Sequence, residues 1–165
     1  MPDKMSCFVE GTVVSELHQT ERYRAIHELI ARAPVFKNVD DILEFESAVV
    51  NRERSISTGL GHGVAMAHGK SQAVRNFFIA LGRSRAGIDF DTPDGLPVHF
   101  LFLVATPPDY QDEYLSAVSA LSGLLRDSDF RDKLMEIKTS QELENTLSEA
   151  FSTALECRCS SYSFR

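Results

Sequence analysis

The sequence predicts an α/β domain of three layers, a mixed sheet held between helices. Two observations lead there. Short, nearly continuous apolar runs bounded by Gly, Pro and Asp read as strands buried on both faces. Amphipathic stripes with helical spacing interleave with those runs, the pattern of a sheet covered on each side. The length of 165 residues fits one domain with a substantial core.

Residues 21–33, ERYRAIHELIARA, set Ile26, Leu29, Ile30 and Ala33 on one helical face, and Pro34 stops that helix. The next helix is expected to take Asn38 as its cap. Asp40 and Asp41 then suit its first turn, and Ile42, Phe45 and Val49 form its buried stripe. It should run out near Arg52 and Glu53, delivering the chain into STGLGHGVAMAHGK, residues 57–70. Within that segment VAMAH (64–68) reads as a short strand with His68 at its end. NFFIALG (76–82) and PVHFLFLVA (97–105) are longer strands, and Asp94-Gly95 between them marks a turn.

Three helices follow. Tyr114, Val118, Leu121 and Leu125 recur at i, i+4, i+7 and i+11. Ser128 is placed to cap a helix buried through Phe130 and Leu134. Thr139-Ser-Gln-Glu142 has the form of a capping box ahead of Leu143 and Leu147. The ending CRCSSYSFR is expected to fray, so the domain is drawn over residues 1–154 with a tail over 155–165.

A net charge of −7 repels nucleic-acid phosphates, and no basic stripe offsets it. No apolar run reaches bilayer length, and MPDKMSCFVEGTVV carries no signal segment. A cytoplasmic protein without direct membrane insertion is therefore expected. Cys7, Cys157 and Cys159 are too few for a disulfide framework and read as reduced thiols.

Four glycines and two histidines crowd into residues 57–70, with nothing charged until Lys70. Glycines leave backbone N–H groups open to an anion, and Ala65, Ala67 and Gly69 leave the His68 imidazole accessible. Such a ring suits phosphate chemistry: one nitrogen attacks phosphorus while an acceptor holds the other. A hydrogen-bonded structural imidazole is the competing reading, and the residues alone leave both open. His62 and His68 lack the Cys, Asp or Glu that would complete a metal shell, so neither metal nor cofactor is expected. His62 reads instead as a loop-surface histidine near the same anion. GLGHG is neither a dinucleotide fingerprint nor a P-loop: Val64 stands where the first P-loop glycine would fall. His99, inside an apolar strand, reads as a core histidine. Arg52 has two open readings, complementing a helix C-terminus or stabilising charge on a phosphorylated imidazole.

NRERSISTGLGHGVAMAHGK resembles the signature of enzyme IIA domains of the phosphoenolpyruvate-dependent sugar phosphotransferase system, in the fructose/mannitol/nitrogen-regulatory class. GIDFDTPDGLPVHFLFLVA and LLRDSDFRDKLMEIKTSQEL are similar to its middle and end, and the resemblance spans about residues 12 to 154. It implies that His68 takes a phosphoryl group from the phosphocarrier protein. His68 would then pass the group to an enzyme IIB cysteine, or phosphorylation would control a regulated target protein. Arg52 matches the arginine beside the active site. Thr58, His62, Gly69 and Tyr114 are the further supporting positions that the resemblance implies. Three residues depart from the family pattern: Ala67 replaces a proline, His62 an asparagine, and Tyr114 a second active-site histidine. A tyrosine hydroxyl can donate to a phosphoryl oxygen but carries no positive charge near neutral pH. The departures motivate an alternative, a binding module on the same fold that transfers no phosphoryl group. A free-standing domain favours a regulatory, nitrogen-type role by analogy.

Overall fold

Strand β3 (Val64–Lys70) and strand β5 (Val98–Thr106) lie side by side and parallel in the computed structural model, which describes residues 7–162 and side chains as far as residue 156. Their register runs from Val64 opposite Phe100 to Lys70 opposite Thr106. β4 (Phe78–Ile88) pairs antiparallel with the other edge of β5, and β1 (Val13–Val14) pairs parallel with β4. β2 (Gly59–Gly61) pairs antiparallel with the outer edge of β3, giving a five-stranded mixed sheet in the order β1-β4-β5-β3-β2.

Strand alternation sends successive side chains to opposite faces, and each face has its own helical cover. Ala65, Ala67, Ala80, Leu101 and Leu103 meet α1 (Arg22–Arg32) and α2 (Ile42–Ser55). Val64, Met66, Ile79, Phe102 and Val104 meet α3 (Gln111–Leu125), α4 (Ser128–Glu136) and α5 (Ser140–Tyr162). The predicted three layers and mixed sheet are thus present. Ile26, Leu29 and Ile30, the predicted stripe of α1, are buried, as are Phe45 and Val49 of α2.

Two caps differ from expectation. Asp41, not Asn38, caps α2 by accepting the Glu44 N–H at 3.1 Å. Asn38 instead ends a 3₁₀ turn over Pro34–Asn38, because Pro34 fixes a backbone angle that suits the first turn of a helix. Asp127, not Ser128, caps α4, accepting the Asp129 N–H at 2.9 Å. A carboxylate bonds there with full charge against the helix dipole. At the last helix Thr139 Oγ1 accepts the Glu142 N–H at 3.2 Å, the forward half of the expected capping box.

Chain ends and strand lengths differ too. The stretch expected to fray is helical to Tyr162, while the Cys157 and Cys159 side chains lie outside the described residues. β1 and β2 went unread because two or three residues show no periodicity. β4 continues to Ile88, beyond the apolar run, because Arg83 can be buried there. Its guanidinium donates to the carbonyls of Ser15 (3.0 Å), Leu134 (2.7 Å) and Ile137 (2.5 Å), satisfying the carboxyl end of α4.

Candidate functional site

The site begins with a close approach of helix to sheet. A Cβ at Gly69 would stand 2.6 Å from Val49 Cγ2 and 2.8 Å from Phe45 Cε2, so only glycine lets α2 settle onto β3 here. Gly69 thus faces α2, and its neighbour His68 faces the other way, toward α3. Tyr114, in the first turns of α3, lies over the imidazole: ring centroids are 5.2 Å apart and the hydroxyl is 3.4 Å from His68 Nδ1. Around this pair opens a cleft of about 360 Å³ lined by Ala48, Arg52, His68, Lys70, Thr106, Gln111 and Tyr114.

The cleft is electropositive: its lining includes Arg52 and Lys70 and no carboxylate. It also lies where the parallel strands β3 and β5 both end, at their carboxyl termini, the usual place for ligands in open α/β sheets. Burial, and next the Arg52 charge, hold the His68 pKa below the ordinary imidazole value. The Met66 carbonyl and the Glu53 charge oppose this. The ring is therefore neutral at pH 7 and keeps one nitrogen lone pair. Burial raises the Tyr114 pKa, with Arg52 opposing, so its hydroxyl stays protonated.

Arg52 serves its helix end and also reaches the cleft. Nη1 donates to the Ile56 carbonyl at 3.1 Å, satisfying the end of α2, while the side chain lines the cleft. Thr58 does not line it. It is buried beneath, where Glu53 accepts its backbone N–H at 3.1 Å and its hydroxyl at 2.5 Å. Glu53 Oε1 also takes Arg22 Nη1 at 3.4 Å. Thr58 thus holds the connection between Arg52 and β2. Gly69 likewise acts through packing.

His62 is not brought to the cleft. The glycine run folds into a hairpin, β2 to β3, whose turn places His62 at φ +55° and Gly63 at φ +78°. His62 N–H donates to Asp94 Oδ2 at 2.7 Å, and the residue borders a separate hollow with Leu60, Ser122 and Arg126. Four strand steps of about 3.3 Å, from Val64 to His68, hold the turn roughly 13 Å away from His68. The glycines are therefore hairpin residues and not an anion cradle. The Met66 N–H turns outward to the Thr58 carbonyl, at 3.0 Å, and the pleat turns the His68 N–H the same way. β2 pairs only with Val64 and Ala65, so it stops short of His68.

Lys70, Thr106 and Gln111 were not singled out from sequence. Lys70 and Thr106 are register partners across two strands, which no local pattern reveals. Among the described residues no group of three or more His, Cys, Asp or Glu side chains is placed to hold a metal ion. No helix among them is long and apolar enough to cross a membrane.

Comparison with known proteins sets this fold in the enzyme IIA class of phosphotransferase domains. Residues 6–150 match the family described as "Phosphoenolpyruvate-dependent sugar phosphotransferase system, EIIA 2", and the chain belongs to that family. It is 36% identical over 125 residues to the fructose-specific EIIA component of Haloferax volcanii, covering 76% of this chain and 81% of that one. It is 30% identical over 138 residues to the fructose-specific EIIABC component of Bacillus subtilis, covering 84% of this chain but only 22% of that longer protein. The crystal structure of nitrogen regulatory protein IIA-Ntr from Neisseria meningitidis superposes with a TM-score of 0.74 at 28% identity, covering 83% of this chain and 93% of that one.

Proposed function

We propose that His68 is the phosphoryl acceptor and donor of this enzyme IIA domain. The observation that carries the reading is the neutral His68 ring in a cleft that Arg52 and Lys70 line, with no carboxylate among the described residues there. With the imidazole proton held on Nδ1 the lone pair sits on Nε2; the Tyr114 oxygen lies 3.4 Å from Nδ1, and the Met66 carbonyl also bonds the ring. Nε2 attacks phosphorus on the phosphohistidine of the phosphocarrier protein. The N–P bond to the donor ring breaks as the bond to Nε2 forms. The electron pair of the broken bond returns to the donor ring, and each ring keeps the proton on its other nitrogen. The transition state is loose, so the cleft contributes charge and position rather than acid–base chemistry. Arg52 and Lys70 neutralise the phosphoryl oxygens, and the Tyr114 hydroxyl donates to one of them.

The next acceptor is an enzyme IIB cysteine, or phosphorylation controls binding to a regulated target protein. Leu115 and Tyr110, exposed beside Tyr114, offer the apolar contact that docking of such partners needs. The domain works in the cytoplasm, where phosphoenolpyruvate supplies the phosphoryl group, and its functional unit is residues 1–154, with α5 continuing past that bound to Tyr162.

The test is phosphorylation by phosphoenolpyruvate, enzyme I and the phosphocarrier protein, read by intact mass at alkaline pH because acid hydrolyses phosphohistidine. One added phosphate on wild type and none on His68→Ala is expected. No addition to wild type, with partner binding indifferent to His68→Glu, would leave a non-transferring binding module.

A further inference from the structure

Thr106 is 5% exposed, and its Oγ1 makes no hydrogen bond among the described residues although it is buried. Buried hydroxyls nearly always have partners, so this one calls for a physical account. It ends β5, directly opposite Lys70 in register, while His68 faces Val104. Val104 and Phe102 point to the α3 face, and the two-residue period of the strand sends Thr106 to that face as well. Thr106 is thus on the same side of the sheet as His68, one strand over and two residues along. Strand spacing and rise put the two Cα atoms roughly 8 Å apart, within reach of a group carried on the imidazole.

A second observation concerns the segment that Thr106 leads into. α3 starts five residues later at Gln111, and its N-cap residue Tyr110 makes no side-chain capping bond. Gln111 and Tyr114, from that first turn, line the same cleft as Thr106. The unpartnered hydroxyl and the uncapped helix start therefore converge on one side of the cleft. Arg52 stands across from them on α2. Both features can donate hydrogen bonds, which suits an anion.

We propose that Thr106 is a phosphoryl-binding residue: its hydroxyl donates to an oxygen of the phosphoryl group held on His68, on the side opposite Arg52. The proposal rests on the assignment of His68 as the phosphoryl acceptor. The ligand is the phosphoryl group itself.

Thr106→Val keeps the shape and removes the hydroxyl. Because that hydroxyl bonds no described residue, thermal melting of the unphosphorylated variant should be unchanged or slightly raised. Transfer from the phosphorylated phosphocarrier protein, followed by intact mass in a rapid-mixing time course, should slow about tenfold, as expected for losing one hydrogen bond to a charged group. Thr106→Ser should restore the rate. Wild-type transfer rates in Thr106→Val, or a lowered melting temperature accounting for the loss, would overturn the proposal while leaving His68 as acceptor. Failure of wild type to gain phosphate would instead remove the His68 assignment, and this proposal with it.

Discussion

The Glu53 carboxylate receives both the backbone N–H and the hydroxyl of Thr58, and with them it fastens the turn between α2 and β2 under the cleft. Glu53 is 2% exposed, so these partners and Arg22 take the place of water around its oxygens. Thr58→Val removes the hydroxyl and leaves a carboxylate oxygen under-satisfied. A loss of about 1–3 kcal/mol in urea unfolding is expected. Phosphorylation should slow moderately, because Arg52 precedes Glu53 in the same turn. Unchanged stability would show that the pair contributes nothing net.

The position of Arg52 sets a pH response. Burial and then Arg52 depress the His68 pKa, so replacing Arg52 by Gln should raise it part of the way back. Histidine ring NMR titration checks the direction. The linkage follows: as pH falls below the ordinary imidazole value, the unfolded chain binds a proton before folded His68 does. Wild type therefore loses stability from that value down through its lowered folded pKa. Arg52→Gln narrows that window. An unshifted or lower His68 pKa in the variant would remove Arg52 as a cause.

Tyr114→Phe keeps the ring over the imidazole and deletes only the hydroxyl. Stability should change by less than about 1 kcal/mol, since the hydroxyl bond at 3.4 Å is long. Phosphoryl transfer should slow several-fold. A rate equal to wild type would leave Tyr114 with a packing role alone.

Gly69→Ala tests the helix–strand contact. The added methyl meets Val49 and Phe45 at distances that neither side chain can absorb without shifting α2. A cost of about 1–3 kcal/mol is expected from overpacking. Displacing α2 also moves Arg52, so transfer should fall. In a double-mutant cycle Gly69→Ala and Val49→Ala should couple favourably, because the smaller residue 49 makes room for the methyl. Additive effects would argue against the steric account.

Much of this was legible in the residues. The stripes of α1 and α3 and the buried runs of β4 and β5 follow from local periodicity, which short stretches of chain display on their own. Caps were less legible: Asn38 and Ser128 are good capping residues, but Asp41 and Asp127 took the roles once the preceding backbone was fixed. His68, Arg52 and Tyr114 were marked by similarity to family signatures and do meet in one cleft. His62 was grouped with them because it is near in sequence, yet a strand carries its ends apart as efficiently as any structure can. Thr58 and Gly69 were marked as well, but their contributions run through Glu53 and through α2.

By itself the sequence determined the layered fold class, and its resemblance to a family signature marked His68, because both are written in residues close together along the chain. Only the tertiary structure decided which residues surround that histidine. Pairing β3 with β5 sets Lys70 beside Thr106, and closing α3 over the sheet brings Tyr114 to His68. These are contacts between segments more than thirty residues apart, fixed by sheet register and core packing rather than by any local preference.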